Sequence, residues 1–145
     1  MDLSKAKKLI IKYEGLRLEA YKDPVGIWTI GFGSTRIFDR QVCEGDKCDR
    51  IQAEIFLDEH IEIISRAIKK LIKVEVTENE FCALVSFAYN VGVGALRYST
   101  LLRKLNDKHP KEMVAAEFAR WNKAGSKVLA GLVTRRKDEA DLFLS

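Results

Sequence analysis

The sequence predicts an α+β fold: a mainly helical chain carrying a small antiparallel β-sheet lobe near its N-terminal end. Three observations carry that expectation. Apolar residues recur at helical spacing over residues 3–13 and again from about Asp49 to Leu71. Between these stretches, residues 16–39 change to a two-residue period, with turn formers at Asp23, Pro24 and Gly26 and β-formers over Ile27–Ile30. Beyond Thr77, helical spacing returns and holds to the end. The expected organisation is one domain, 1–145. Its sheet-bearing lobe covers roughly 12–60, joined by a long helix to a helical lobe made of 1–11 and 61–145.

Each element has a local cause. In the first helix Leu3, Ala6, Leu9, Ile10 and Tyr13 share one face and lysines occupy the other. Asp2 or Ser4 caps its start and Gly15 ends it. In the following segment Leu16, Leu18 and Ala20 alternate with Arg17, Glu19 and Tyr21, predicting two or three short strands. Gly31 and Gly33 inside that pattern signal a bulge or a close backbone approach. Asp39–Asp49 is polar and reads as loop. Ala53, Phe56, Leu57, His60, Ile61, Ile64, Ala67, Ile68 and Leu71 form the buried face of a long helix, with room for one break. Thr77 and Glu80 make a T-x-x-E capping box for an apolar helix over Phe81–Asn90, which Val91–Gly94 ends. A short helix runs from Ser99 or Thr100 through Leu105. Pro110 suits the first turn of another, through Trp121, with Met113, Val114, Phe118 and Trp121 inward. Gly125 and Gly131 punctuate the next stretch, and Arg135–Leu144 closes the chain as a helix.

Composition narrows the classes. With 145 residues, 47% hydrophobic and 32% charged, the chain has the balance of an ordinary globular domain and excludes disorder. The net charge is +4, +1 up to Glu75 and +3 after it. That modest excess suits an anionic partner or a solvated basic surface equally. Lysines and arginines are interspersed with acids and no recognition motif appears, so nucleic acid is not an expected partner. The three cysteines, Cys43, Cys48 and Cys82, have no metal-ligand spacing, so no metal is expected; free thiols are the favoured reading over a Cys43–Cys48 bridge. No apolar run is long enough for a membrane span, and the start lacks a signal-peptide core, so neither a membrane anchor nor an encoded export route is expected.

The chemistry concentrates in Lys12–Ser34, KYEGLRLEAYKDPVGIWTIGFGS. Two carboxylates in different surroundings are the usual apparatus for glycosidic bond cleavage. One stays protonated to donate to the leaving oxygen; the other stays ionised to stabilise charge or orient water. Glu14 suits the acid role, because a helix C-terminus and the apolar neighbours Tyr13 and Leu16 disfavour its charged form. Asp23, in a turn, suits the ionised role, and Thr29 offers a hydroxyl beside it. On spacing alone a helix-end glutamate, an Asx turn and a strand threonine explain the same three residues.

The flanking residues add a resemblance. YEGLRLEAYKDPVGIWTIGFGST resembles the active-site segment of the phage-type lysozymes, with the pattern E-x8-D-x5-T, a YxD turn and a GxG after a WTIG strand. The run Phe81–Phe87 followed by YNVGVGAL, then STLLRKLN, RWNKAG and GLVTRRKDEADLF, resembles the family's later segments in order, from about Lys7 to Phe143. The resemblance implies a lysozyme-like fold and a muramidase cleaving the β-1,4 bond between N-acetylmuramic acid and N-acetylglucosamine in peptidoglycan, without cofactor. It implies Glu14 as general acid, with Asp23 and Thr29 positioning the attacking water with inversion. An inverting pair stands about 6.5–9.5 Å apart. It also implies glycan contacts for Tyr89 and Asn90, and support of the acid by Arg135 or Arg136, of which Arg136 is preferred. The implied setting is a monomeric endolysin that accumulates in host cytoplasm and reaches the periplasm and wall at lysis through a separate holin.

One position departs from the family pattern. Where its members commonly carry His after the GxG, this chain has Ser34, so altered loop support is expected there. The histidines lie elsewhere: His60 reads as a buried helix residue and His109 as surface. Trp28 and Trp121 read as core. A glycan-binding module without catalysis and a lytic transglycosylase are the alternatives of different chemistry.

Overall fold

The computed structural model describes all residues, 1–145. The chain is mainly helical with small antiparallel sheets. It divides into two compact units, Ile10–Ile63 and Met1–Leu9 with Ile64–Ser145.

The unit Ile10–Ile63 begins within helix α1, Ser4–Glu14. Ala6 and Ile10 are the fully buried members of its predicted face. Strands β1, Arg17–Lys22, and β2, Trp28–Gly31, follow and pair antiparallel. Their register changes between Arg17 opposite Gly31 and Tyr21 opposite Thr29, so four residues of β1 face two of β2. The bulge therefore lies in β1 rather than at the β2 glycines. Gly31 supplies the close approach instead: a Cβ there would stand 3.2 Å from the Ala53 Cβ.

The stretch expected to be loop, Asp39–Asp49, is more ordered than its polarity suggests. Strands β3, Arg36–Ile37, and β4, Arg40–Gln41, form a two-residue hairpin. Beyond it the chain returns to the edge of β1, where Ala20 N–H donates to Asp46 O at 2.9 Å and Cys48 N–H to Leu18 O at 2.9 Å. A bidentate Arg40–Asp46 pair, at 2.8 and 3.1 Å, secures this return. Sequence periodicity cannot show such pairing, since both partners are short and polar. Ile30, Val42 and Phe56 form the core here, with Ala20, Trp28, Ile37 and Cys48 packed around them.

Helix α2, Arg50–Leu71, runs unbroken through the unit boundary. It starts on a reciprocal cap: Gln52 N–H donates to Asp49 Oδ1 at 2.7 Å, and Asp49 N–H to Gln52 Oε1 at 2.9 Å. Its predicted face is buried from Ala53 to Ile68, except that His60 and Ala67 are only partly covered.

The other unit is built on α3, Glu78–Val91, and α7, Ala130–Leu144. Thr77 caps α3 as expected, its hydroxyl accepting from Glu80 N–H at 3.1 Å. The Glu80 carboxylate is buried and pairs with Lys111. Between α3 and α7 come α4, Val93–Arg97, α5, Thr100–Asn106, and α6, Lys111–Ala115. The Gly92 region does not simply end α3; α4 follows after one residue.

The helix expected from Pro110 to Trp121 is not continuous. It stops at Ala115 and resumes as a 3-10 turn, Phe118–Arg120. Val114 and Phe118 point inward as predicted, but Met113 is 45% exposed, because the five-residue α6 buries only its Val114 and Ala115 side. A small hairpin, β5, Lys123–Ala124, and β6, Lys127–Val128, fills the stretch around Gly125. α7 begins five residues before the predicted start at Arg135. Its N-terminal turns lack buried apolar residues, and their helical signal is weak for that reason. Phe87 is the aromatic centre, edge-on to Phe118 at 5.4 Å and to Trp121 at 5.5 Å. Cys43, Cys48 and Cys82 are all free thiols.

Thr77→Ala removes the only side-chain acceptor recorded for the first turn of α3. It is expected to cost about 1 kcal/mol of stability, read as a lower urea midpoint with an unchanged m-value.

Candidate active site

Glu14 is the last residue of α1, where the helix dipole is negative. Its carboxyl lies against Gly33. A Cβ built on Gly33 would meet Glu14 Cδ and Oε1 at 3.2 Å and Oε2 at 3.3 Å. Gly33 has φ +83°, a conformation that L side chains seldom adopt. Only glycine satisfies both demands there, the backbone angle and the room for the carboxyl.

Asp23 sits in the turn between β1 and β2. Its Oδ1 accepts from Val25 N–H at 3.0 Å and from Ile27 N–H at 2.8 Å. Its backbone N–H donates to Ile27 O at 2.9 Å. Thr29 is 4% exposed, and its hydroxyl donates to the same Ile27 O at 2.9 Å. The Ile27 backbone therefore fixes both side chains: its N–H holds the aspartate and its carbonyl holds the threonine. Because the Thr29 proton is committed to that carbonyl, the hydroxyl's remaining capacity is as an acceptor.

Tyr21 was not singled out from the sequence as a site residue, although it opens the YxD turn. It pairs across the sheet with Thr29. Burial, followed by the charges of Glu14 and, less strongly, Asp23, pushes its phenol above the ordinary range; Arg17 pulls the other way. Arg17 lies over its ring at 4.2 Å. The phenol therefore senses both carboxylates, and it ties Glu14, Asp23 and Thr29 to one neighbourhood within the unit Ile10–Ile63.

The remaining expected site residues lie in the other unit. Tyr89 is partly buried and Asn90 exposed, both at the end of α3. Arg136 is buried, 1% exposed, on α7. Its Nε stands 2.7 Å from Glu139 Oε1, and its guanidinium lies 5.0 Å from the Phe87 ring. Arg135 is buried too, donating to Ser86 O at 3.1 Å and pairing with Glu139 at 3.3 Å. Ser86 donates to the same carboxylate at 2.7 Å. Ser34, the departure from the family pattern, is buried with both backbone bonds made to Ile30 at 2.8 Å. No group of three or more metal-ligating side chains comes together anywhere in the chain.

A carboxyl at a helix end on bare backbone, and a carboxylate locked beside an accepting hydroxyl, define a site suited to acid-assisted hydrolysis. The profile of the phage lysozyme family matches residues 11–139, and the chain belongs to that family. It is 45% identical to the endolysin of Bacillus phage PZA over 150 aligned positions, covering all of this chain and 56% of that protein. It therefore spans about half the length of that relative. It is 41% identical to the endolysin of Acyrthosiphon pisum secondary endosymbiont phage 1, covering 94% of this chain and 93% of the relative. Among solved structures, the endolysin of Escherichia coli O157:H7 phage FAHEc1 superimposes with a TM-score of 0.89 at 41% identity, covering 100% of this chain and 94% of that one.

Two predictions follow from the geometry. Gly33→Ala meets both a strained φ and the Glu14 carboxyl. It is expected to lower stability by about 1–3 kcal/mol and to displace Glu14 in a crystal structure of the variant. The Tyr21 phenol holds its proton longer in the folded than in the unfolded chain. Its contribution to stability is therefore present below the unfolded tyrosine value near pH ~10 and is lost as pH rises through the higher folded value. Ultraviolet titration should show one phenol ionising late, and Tyr21→Phe should remove it.

Proposed function

We propose that this chain is a peptidoglycan-cleaving muramidase, hydrolysing the β-1,4 bond between N-acetylmuramic acid and N-acetylglucosamine. The observation that carries this reading is the Ile27 backbone, which holds both an aspartate carboxylate and an accepting threonine hydroxyl. Family membership and the endolysin relatives support it.

In this mechanism Glu14 donates its proton to the departing glycosidic oxygen. The negative end of α1 favours keeping that proton until it is needed, by about 0.3–1 kcal/mol. A water lies between Asp23 and Thr29. It donates one hydrogen to the aspartate and one to Thr29 Oγ1, which leaves a lone pair directed at the anomeric carbon. Asp23 takes the proton as the new C–O bond forms, and the configuration inverts. The two Asp23 Oδ1 bonds from backbone N–H groups hold that carboxylate still. No metal or organic cofactor enters this scheme.

By the same resemblance, Tyr89 and Asn90 bind glycan, through a planar ring and an amide suited to sugar faces and acetamido groups, and Arg136 supports the acid. The protein would act as a monomer, held in the host cytoplasm until a separate holin opens the way to the wall. No helix is long and apolar enough to cross a membrane. The positive charge suits an anionic wall.

Glu14→Gln is expected to fold normally and to lose at least about 100-fold in the rate of wall lysis, the usual worth of a general acid. Mass analysis of muropeptides released by the parent chain should show reducing ends carrying one added water. Anhydro ends would assign a transglycosylase, wall binding without release would assign a binding module, and near-normal lysis by Glu14→Gln would refute the acid role.

A further inference from the structure

The bulge in β1 brings together two side chains that a regular strand would keep apart. Arg17 and Tyr21 are four residues apart in sequence, which along an even strand is about 13 Å. Here the Arg17 guanidinium lies 4.2 Å from the centre of the Tyr21 ring. The register of the hairpin shifts between these same two residues. A bulge bends its strand and re-aims side chains, and bulges are over-represented beside active sites.

Tyr21 stands on the face of the hairpin away from the core of this unit. Trp28 and Ile30 lie on one face of β2, and both belong to the cluster built on Val42 and Phe56. Thr29, between them in sequence, faces the other side. Tyr21 is its direct partner across the sheet, so the two side chains share that face, with Cβ atoms about 5 Å apart. The neighbouring pair, Lys22 and Trp28, is a cross-strand contact of the regular kind, with the ammonium 5.4 Å from the indole centre. That contact needs no bulge; the Arg17 stack does. Tyr21 is half-buried, and Thr29 beside it is 4% exposed. The phenol also feels the charges of Glu14, Arg17 and Asp23. The ring therefore stands among the residues of the proposed site, and a cation lying over its face restrains it there.

We propose that Arg17 and Tyr21 are positioning residues for the hydrolysis: the stacked ring walls the Thr29 hydroxyl on the β1 side and so confines the water that Thr29 and Asp23 hold. The inference rests on the muramidase reading given above. Arg17 acts through the ring of Tyr21, and Tyr21 acts through the water at Thr29.

The test compares kcat and KM for the release of reducing ends from soluble peptidoglycan fragments, with Glu14→Gln measured alongside. Tyr21→Leu removes the ring and is expected to lower kcat by about ten-fold or more, as a loss of orientation does, with KM little changed. Tyr21→Phe keeps the ring and should recover most of that loss. Arg17→Met keeps a long stem without the charge, and should lower kcat about two- to five-fold, the worth of a cation over an exposed ring. Placed on Tyr21→Leu, the same substitution should add nothing further, because its effect passes through the ring. In spectra of the isotope-labelled chain the Thr29 methyl should move in Tyr21→Leu and, by less, in Arg17→Met, while Tyr21→Phe leaves it in place, since the shift comes from an ordered ring nearby. The inference is overturned if Tyr21→Leu keeps full kcat while Glu14→Gln is inactive, or if only KM changes, which would make Tyr21 a glycan contact. It is also overturned if the Arg17 and Tyr21 effects simply add, or if the Thr29 methyl is indifferent to the ring. Lysis by Glu14→Gln, or no release by the parent chain, would instead overturn the muramidase reading and this inference with it. Melting curves confirm folding, and Arg17→Met, at an exposed position, carries the test where Tyr21→Leu fails to fold.

Discussion

The Ile27 backbone is the constraint on which the proposed site depends. The Ile27 carbonyl accepts from the Asp23 backbone and the Thr29 hydroxyl, and the Ile27 N–H donates to the Asp23 carboxylate. A turn aspartate is ordinarily a local device that closes its own Asx turn. Here the same bonds reach across the turn to Ile27, the residue before β2, so the side chain is tied to the entry of the strand. The hydrogen-bond direction matters as much as the distance. With its proton given to Ile27 O, Thr29 can only accept from a further partner, and the aspartate's Oδ1 is engaged by two N–H groups. Two acceptors of fixed orientation are what a water molecule needs if it is to present a lone pair rather than a hydrogen.

Glu14 is treated oppositely by the fold. Asp23 is surrounded by donors, whereas the glutamate sits at the acceptor-rich end of α1 and lies on the Cα of Gly33. A helix C-terminus disfavours the ionised form of a carboxyl. The different surroundings of the two carboxyls, on which the proposed roles rest, are therefore set by backbone geometry. Tyr21 records this arrangement, since its phenol feels both charges from between them in sequence.

Much of this was legible in the sequence because it is local. The Thr77 cap and the face of α2 depend on short-range chemistry that periodicity and residue type report, whereas Glu14, Asp23 and Thr29 stood out only through the family resemblance of their flanking residues. The long helix and the β1–β2 hairpin followed from the same signals. The misses have physical reasons as well. The β3–β4 and β5–β6 hairpins are two residues per strand, too short for a period to show. Met113 faces outward because the five-residue α6 buries only its Val114 and Ala115 side, and nothing in the composition marks where that helix stops. The burial of Arg135 and Arg136 around Glu139 was not foreseen. A buried charge is invisible to hydropathy when its partner lies three or four residues further along the same helix. Tyr21 was hidden by ambiguity, since an aromatic in a strand reads as packing.

The distribution of these residues has a consequence for how the chain divides its work. Glu14, Tyr21, Asp23, Thr29 and Gly33 all belong to Ile10–Ile63 and lie within twenty positions of one another in sequence. The proposed proton donor and the proposed water-holding pair thus depend on one helix end, one hairpin and one glycine. Changes elsewhere in the chain can alter stability, through clusters such as Arg135–Glu139–Ser86 or Glu80–Lys111, without redrawing that relation. A buried ion cluster is costly to break, because each lost partner leaves a charge out of water and unmatched. The chain therefore carries two kinds of constraint. Hydrogen-bond direction governs the short segment where the chemistry is proposed, and charge satisfaction governs the seam between α3 and α7.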